Sequence, residues 1–167
     1  MAEQTEISFT PLPLGISSCL LGQEVRYDGG HKRDRFLTDV LGDYVTWVPV
    51  CPEVEIGLGT PRPTIRLERA EDGSARLVMP TSGEDLTETM VKYADDRIPR
   101  LEKHDLAGYV LKKDSPSCGM ERVKVYSQNF QRNRWVRFSA HSDIQNRFDD
   151  QDMLGAISTL TWQIDPN

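Results

Sequence analysis

Three cysteines, Cys19, Cys51 and Cys118, constrain this chain most, because each closes a short apolar run and opens a loop rich in Gly, Pro or Ser. An odd number cannot all pair within one chain. The opening MAEQTEISFT has neither the basic nor the apolar stretch of a secretion signal, so the expected setting is the reducing cytoplasm. A disulfide framework is thereby set aside. Buried inert thiols, a reactive thiol and a metal site remain open.

The runs before the cysteines read as strands. Pro13-Leu14-Gly15-Ile16-Ser17-Ser18 leads to Cys19, Tyr44-Val45-Thr46-Trp47-Val48-Pro49-Val50 to Cys51, and Leu106-Ala107-Gly108-Tyr109-Val110-Leu111 towards Cys118. Between the first two, Phe36, Leu37, Val40 and Leu41 recur at helical spacing, which predicts an amphipathic helix from Arg33 to Asp43 with Gly42 as its stop. Thr64–Glu68 and Ala75–Met79 flank Asp72-Gly73 and predict a β-hairpin. Ser82 and Asp85 resemble a capping box before a helix containing Leu86, Met90, Tyr93, Ala94 and Ile98, with Pro99 expected to end or kink it. A last helix is expected from Gln151 to Trp162. Strand, helix, strand, hairpin, helix, strand predicts an α/β fold: one domain with a mostly parallel, Rossmann-like sheet flanked by helices, plus a hairpin or edge strands. In such sheets ligands sit beyond the carboxyl ends of the strands, so three cysteines distant in sequence could meet at one spot.

The 167 residues suit one domain, and no run approaches the roughly 18 apolar residues of a membrane helix, so no membrane partner is expected. A net charge of −6 disfavours broad nonspecific binding to nucleic acid and leaves room only for a focused phosphate contact.

Taken together, three loop thiols favour a shared soft-metal site: zinc, copper(I) or an iron–sulfur cluster. Structural zinc usually closes a four-ligand shell, often with CxxC spacing, which is absent here. On a [4Fe-4S] cluster, three thiolates would leave one iron open to a substrate atom, sulfur being the natural candidate. Glu53 reads equally as a general acid or base and as a carboxylate capping its turn. Ser115 and Ser117 could cap the turn before Cys118 or orient and protonate a leaving group. Arg26, His31, Lys32, Arg62, Lys112 and Lys113 supply positive charge nearby. Arg62, between Pro61 and Pro63, is the sharpest phosphate candidate, whereas His31 reads as a hydrogen-bonding loop residue before a metal ligand.

Several motifs in order carry a family resemblance. They are Ile16-Ser17-Ser18-Cys19-Leu20-Leu21-Gly22, Val25-Arg26-Tyr27-Asp28-Gly29-Gly30-His31-Lys32, Val50-Cys51-Pro52-Glu53-Val54 through Gly59-Thr60-Pro61-Arg62-Pro63, and Leu111-Lys112-Lys113-Asp114-Ser115-Pro116-Ser117-Cys118-Gly119. Together they resemble the thiouracil desulfidase family in its single-domain form. The resemblance implies a [4Fe-4S] cluster with three Cys ligands, Cys19, Cys51 and Cys118, and one open iron that takes the sulfur of a thiolated pyrimidine. It implies catalytic roles for Glu53 and for Ser115 foremost, with Ser117 beside it, and substrate contacts from Arg26, His31, Arg62 and Lys112. The expected organisation is a 1–13 extension, a 14–126 desulfidase-like domain, and a 127–167 C-terminal segment of the same domain.

The expected reaction is removal of sulfur from 4-thiouracil, or its nucleoside or nucleotide, to give uracil and sulfide. Family members with a further helical domain are associated with tRNA, and Ser127 to Asn167 shows no such domain. A small thiopyrimidine is therefore expected ahead of 4-thiouridine in tRNA, with the protein a monomer or weak dimer. The rival from another class is a noncatalytic metal-binding or interaction module.

Overall fold

β-Branched and aromatic residues dominate the second apolar run, and it forms β2 (Val45–Val50), paired in parallel with β1 (Leu12–Ser17). The computed structural model describes residues 10–120 and 123–127. On the other side of β1 lies β6 (Gly108–Val110), also parallel, giving a sheet in the order β2-β1-β6. The register sets where the loops depart. Ser17 lies opposite Val50 and Ile16 opposite Val110, so all three strands leave the sheet along one edge. Gly15 allows the central strand to pack against its neighbour's ring, since a Cβ there would stand 2.2 Å from Tyr109 Cδ2.

The expected hairpin is β3 (Arg66–Arg69) and β4 (Ala75–Met79), turning through Asp72-Gly73. It belongs to a second sheet. There β5 (Glu84–Asp85) and β7 (Val125–Tyr126) complete the order β5-β4-β3-β7, with β7 parallel to β3. The main apolar cluster sits here: Leu67, Leu77, Met90, Val123 and Val125 are buried with Ile65, Ala75, Met79 and Leu86. The expected α/β class with a parallel sheet, helices and a hairpin is the one the chain adopts.

Three local expectations change. The helix predicted from Arg33 to Asp43 shrinks to α1 (Arg35–Asp39), followed by a 3-10 turn at Leu41–Asp43. Asp34 caps it by accepting from the Phe36 and Leu37 amides. A helix this short depends on burying an apolar face, and here Phe36 and Val40 stay 62% and 51% exposed, so nothing extends it. Ser82 does not cap the long helix α3 (Thr87–Glu102); its hydroxyl accepts from the Glu84 amide in a turn, while Asp85 accepts from the Thr87 amide. Leu86 remains tied to β4 through Leu77 O, which delays the helix start.

Pro99 neither ends nor breaks α3. A proline inside a helix costs about 3 kcal/mol. Ile98 and Leu101 are both buried and hold the final turns in place, and Pro99 itself is on the exposed side, where water can satisfy the freed carbonyl. The helix expected from Gln151 to Trp162 lies outside the described residues. Among the described residues, no helix is long and apolar enough to cross a membrane.

Candidate active site

The aligned edge of the parallel sheet brings the cysteine loops together. Cys19 lies in a 3-10 turn (Ser18–Leu21) directly after β1. Cys51 follows β2 at the N-cap of the single-turn helix α2 (Pro52–Glu55), with Pro52 at the first helical position, where its missing N–H costs nothing. Cys118 ends the loop that follows β6, and this loop is tied to the edge by the Lys112 amide, which donates to Ser17 Oγ at 3.0 Å. All three cysteines line one cavity of about 360 Å³ together with Glu53, Arg62, Lys112 and Ser115. Gly119 lets the last loop close tightly, because a Cβ would meet Ser115 O and Val123 Cγ2, each at 2.7 Å.

Glu53 is held at both carboxylate oxygens. Arg62 donates from Nε at 2.9 Å and Nη2 at 2.6 Å to Oε2, while Ser117 Oγ donates to Oε1 at 2.7 Å. The Arg62 side chain is 2% exposed and Glu53 14%, so this is a charge-assisted pair away from bulk water. Arg62 also donates from Nη1 to Gly59 O at 2.8 Å. Its own amide donates to Tyr27 O, which binds the 59–63 loop to the loop after Cys19.

The serine chain has a direction. Ser117 Oγ is 3.3 Å from Ser115 Oγ, and Ser115 Oγ accepts the Cys118 amide at 3.2 Å. An ionised carboxylate only accepts, so the Ser117 hydroxyl proton points to Glu53. In the Ser115–Ser117 contact Ser115 is then the donor. Ser115 lines the cavity and Ser117 is buried behind it, so the two hydroxyls connect the cavity to Glu53 Oε1.

A family model described as 2-thiouracil desulfurase matches residues 14–140. The chain belongs to the 2-thiouracil desulfurase family. Among solved structures, the [4Fe-4S]-dependent thiouracil desulfidase TudS resembles it with a TM-score of 0.60 and 30% identity, covering 84% of this chain and 87% of TudS. The YbbK protein of Bacillus subtilis (strain 168) is 34% identical over 109 residues, 62% of this chain and 71% of that protein. The family match runs past Tyr126, where the motif resemblance stops.

The site of this desulfurase-family chain brings together most residues singled out from sequence. Cys19, Cys51, Cys118, Glu53, Ser115, Arg26, Arg62 and Lys112 line the cavity, and Ser117 stands immediately behind it. His31 does not line it; it is an exposed loop residue whose Nδ1 accepts the Arg33 amide. Arg62 lines the cavity with a guanidinium already engaged by Glu53 and Gly59, which makes its evident structural work the holding of a carboxylate. Tyr27, Lys32 and Asp114 also join the lining, beyond the site residues that sequence reasoning selects. Lys32 has a readable signal as the cation ending the Gly29-Gly30 loop, and the Lys32 amide donates to Cys19 O at 2.9 Å. Asp114 adopts a left-handed φ of 60° in the turn before Ser115, a conformation Asp tolerates better than most residues.

Burial raises all three thiols above their ordinary range. For Cys19, desolvation is opposed by Lys112 and Arg26. For Cys51 desolvation is again the leading cause, and Cys118 is pushed up to about 12 by its burial. The thiols are therefore protonated at neutral pH in the bare site, and a bound soft metal would displace protons to gain thiolates.

Proposed function

We propose that this chain is a [4Fe-4S]-dependent desulfidase that exchanges the sulfur of a small thiolated pyrimidine for oxygen from water. The observation that carries this reading is the convergence of three loop thiols and a carboxylate–serine chain on one cavity. The donor set suits the group: three soft sulfur donors line the cavity without His or a fourth Cys, so a closed four-ligand zinc shell is not on offer. Among the described residues no three His, Cys, Asp or Glu gather closely enough to hold a single ion, which leaves the three thiols facing a larger body. TudS is [4Fe-4S]-dependent, and its likeness supports the same cofactor here. Cys19, Cys51 and Cys118 would hold the cluster. When bound, such a cluster supplies a soft Lewis-acidic iron without a protein ligand, suited to a thiocarbonyl sulfur.

The chain's own residues account for the protons. Glu53 Oε1, reached from the cavity through Ser115 and Ser117, receives a proton as water attacks the thiocarbonyl carbon. Arg62 keeps the carboxylate in place throughout. The carbon–sulfur bond breaks, a carbon–oxygen bond replaces it, and the departing sulfide takes up the protons, with no net electron transfer.

Lys32 and Lys112 line the cavity and Arg62 is already paired, so the two lysines form the anion site for a nucleotide phosphate. This supports a free thiouracil or thiolated uridine monophosphate over tRNA, which would require an extended basic face. Anaerobically purified protein is expected to show broad visible absorbance that bleaches in air, and to release sulfide from 4-thiouracil. Colourless protein without sulfide release sinks the reading and favours the noncatalytic module. Comparison of kcat/KM for base, monophosphate and thiolated tRNA tests the substrate, and preference for tRNA overturns that part.

A further inference from the structure

Two glutamates sit two residues apart on α2 and face different partners. Glu53 lines the cavity, whereas Glu55 reaches back to Cys51 and across to α3. Both main-chain polar groups of Cys51 are taken by this one residue. The Cys51 amide donates to Glu55 Oε1 at 3.2 Å, and the Glu55 amide donates to Cys51 O at 2.9 Å. The other carboxylate oxygen, Oε2, accepts the Tyr93 hydroxyl at 3.0 Å. Arg97 Nε stands 2.9 Å from the same oxygen as a charge contact, without an aligned hydrogen bond.

A single helical turn cannot fix its own geometry. The Cys51 sulfur nevertheless depends on that turn, for the Val54 amide points at it and the thiol donates to Val25 O at 3.8 Å. Helix α3 is a firm anchor because Met90, Ala94, Ile98 and Leu101 bury one side of it. We propose that Glu55 is a positioning residue for the Cys51 sulfur, with Tyr93 and Arg97 transmitting the rigidity of α3 to the site. Glu55 lies on the surface away from the cavity, so its effect falls on where one thiol sits and little on whether the domain folds.

The proposal rests on Cys51 being a cluster ligand, and two measurements keep the claims apart. In cluster-free full-length protein at fixed pH, iodoacetamide labelling is followed cysteine by cysteine with mass spectrometry. Glu55→Ala should label Cys51 about tenfold faster while Cys19 and Cys118 keep their parental rates, and Tyr93→Phe should shift Cys51 less in the same direction. In the loaded protein, iron loss to a chelator, read from visible absorbance, should be about 10–100-fold faster in Glu55→Ala. Cys51 labelling that is unchanged, or that rises equally with the other two thiols, overturns the proposal. Should Glu55→Ala fail to fold, Tyr93→Phe decides, and parental labelling and iron loss in that variant reject it. A Cys51→Ala protein that retains its full iron refutes Cys51 as a ligand, while the labelling arm still decides whether Glu55 sets the thiol.

Discussion

The two sheets divide the work of the molecule. The four-stranded sheet, backed by α3, holds the main apolar cluster of Leu67, Leu77, Met90, Val123 and their neighbours. The parallel sheet buries less carbon and more polarity, with Ser17, Ser18, Arg62 and Ser117 all enclosed at or near its carboxyl edge. An enclosed polar group is tolerated only when its bonds are made. Ser17, Arg62 and Ser117 make theirs to one another's loops, so the edge is ordered by directed bonds where the other sheet is ordered by packing. Directed bonds can aim a carboxylate or a thiol; packing alone cannot.

The largest effect should come from the edge. Cys118→Ala is expected to reduce bound iron and sulfide release to background, measured by iron analysis and sulfide assay. The thermal midpoint of the cluster-free protein should stay near that of its cluster-free parent, and a large fall would show that the edge also carries stability.

Glu53→Gln comes next, lowering kcat by about 10²–10⁴-fold with the visible spectrum of the cluster retained. Full turnover in that variant would reduce the Glu53–Ser117 contact to a purely structural bond. Leu77→Ala should do the reverse, costing about 2–5 kcal/mol of stability by denaturant titration while kcat per cluster at low temperature stays parental. A loss of kcat with the fold intact would break the division between the sheets. The smallest effect is expected at Phe36→Ser on the exposed face of α1, within about 0.5 kcal/mol. A larger cost would mean that this face is covered in solution.

Periodicity and punctuation sufficed for much of this. The three strands ahead of the cysteines, the Asp72-Gly73 hairpin and the body of α3 were legible, because alternation, turn chemistry and helical spacing are written locally. The cysteines, Glu53 and the serines stood out because Gly, Pro and Ser around a thiol make a poor core. What the sequence could not settle depended on burial. The length of α1 and the survival of α3 past Pro99 depended on which apolar side chains found a partner, Phe36 and Val40 finding none and Leu101 finding one. Which of two glutamates would cap and which would enter the cavity was likewise undecided at Cys-Pro-Glu-Val-Glu. Tertiary contacts decided it: Arg62 and Ser117 drew Glu53 to the cavity, and Tyr93 and Arg97 drew Glu55 to α3. Partners so far along the chain leave no trace in local spacing, because a hydrogen bond depends on ångströms between atoms and takes no account of how many residues separate them.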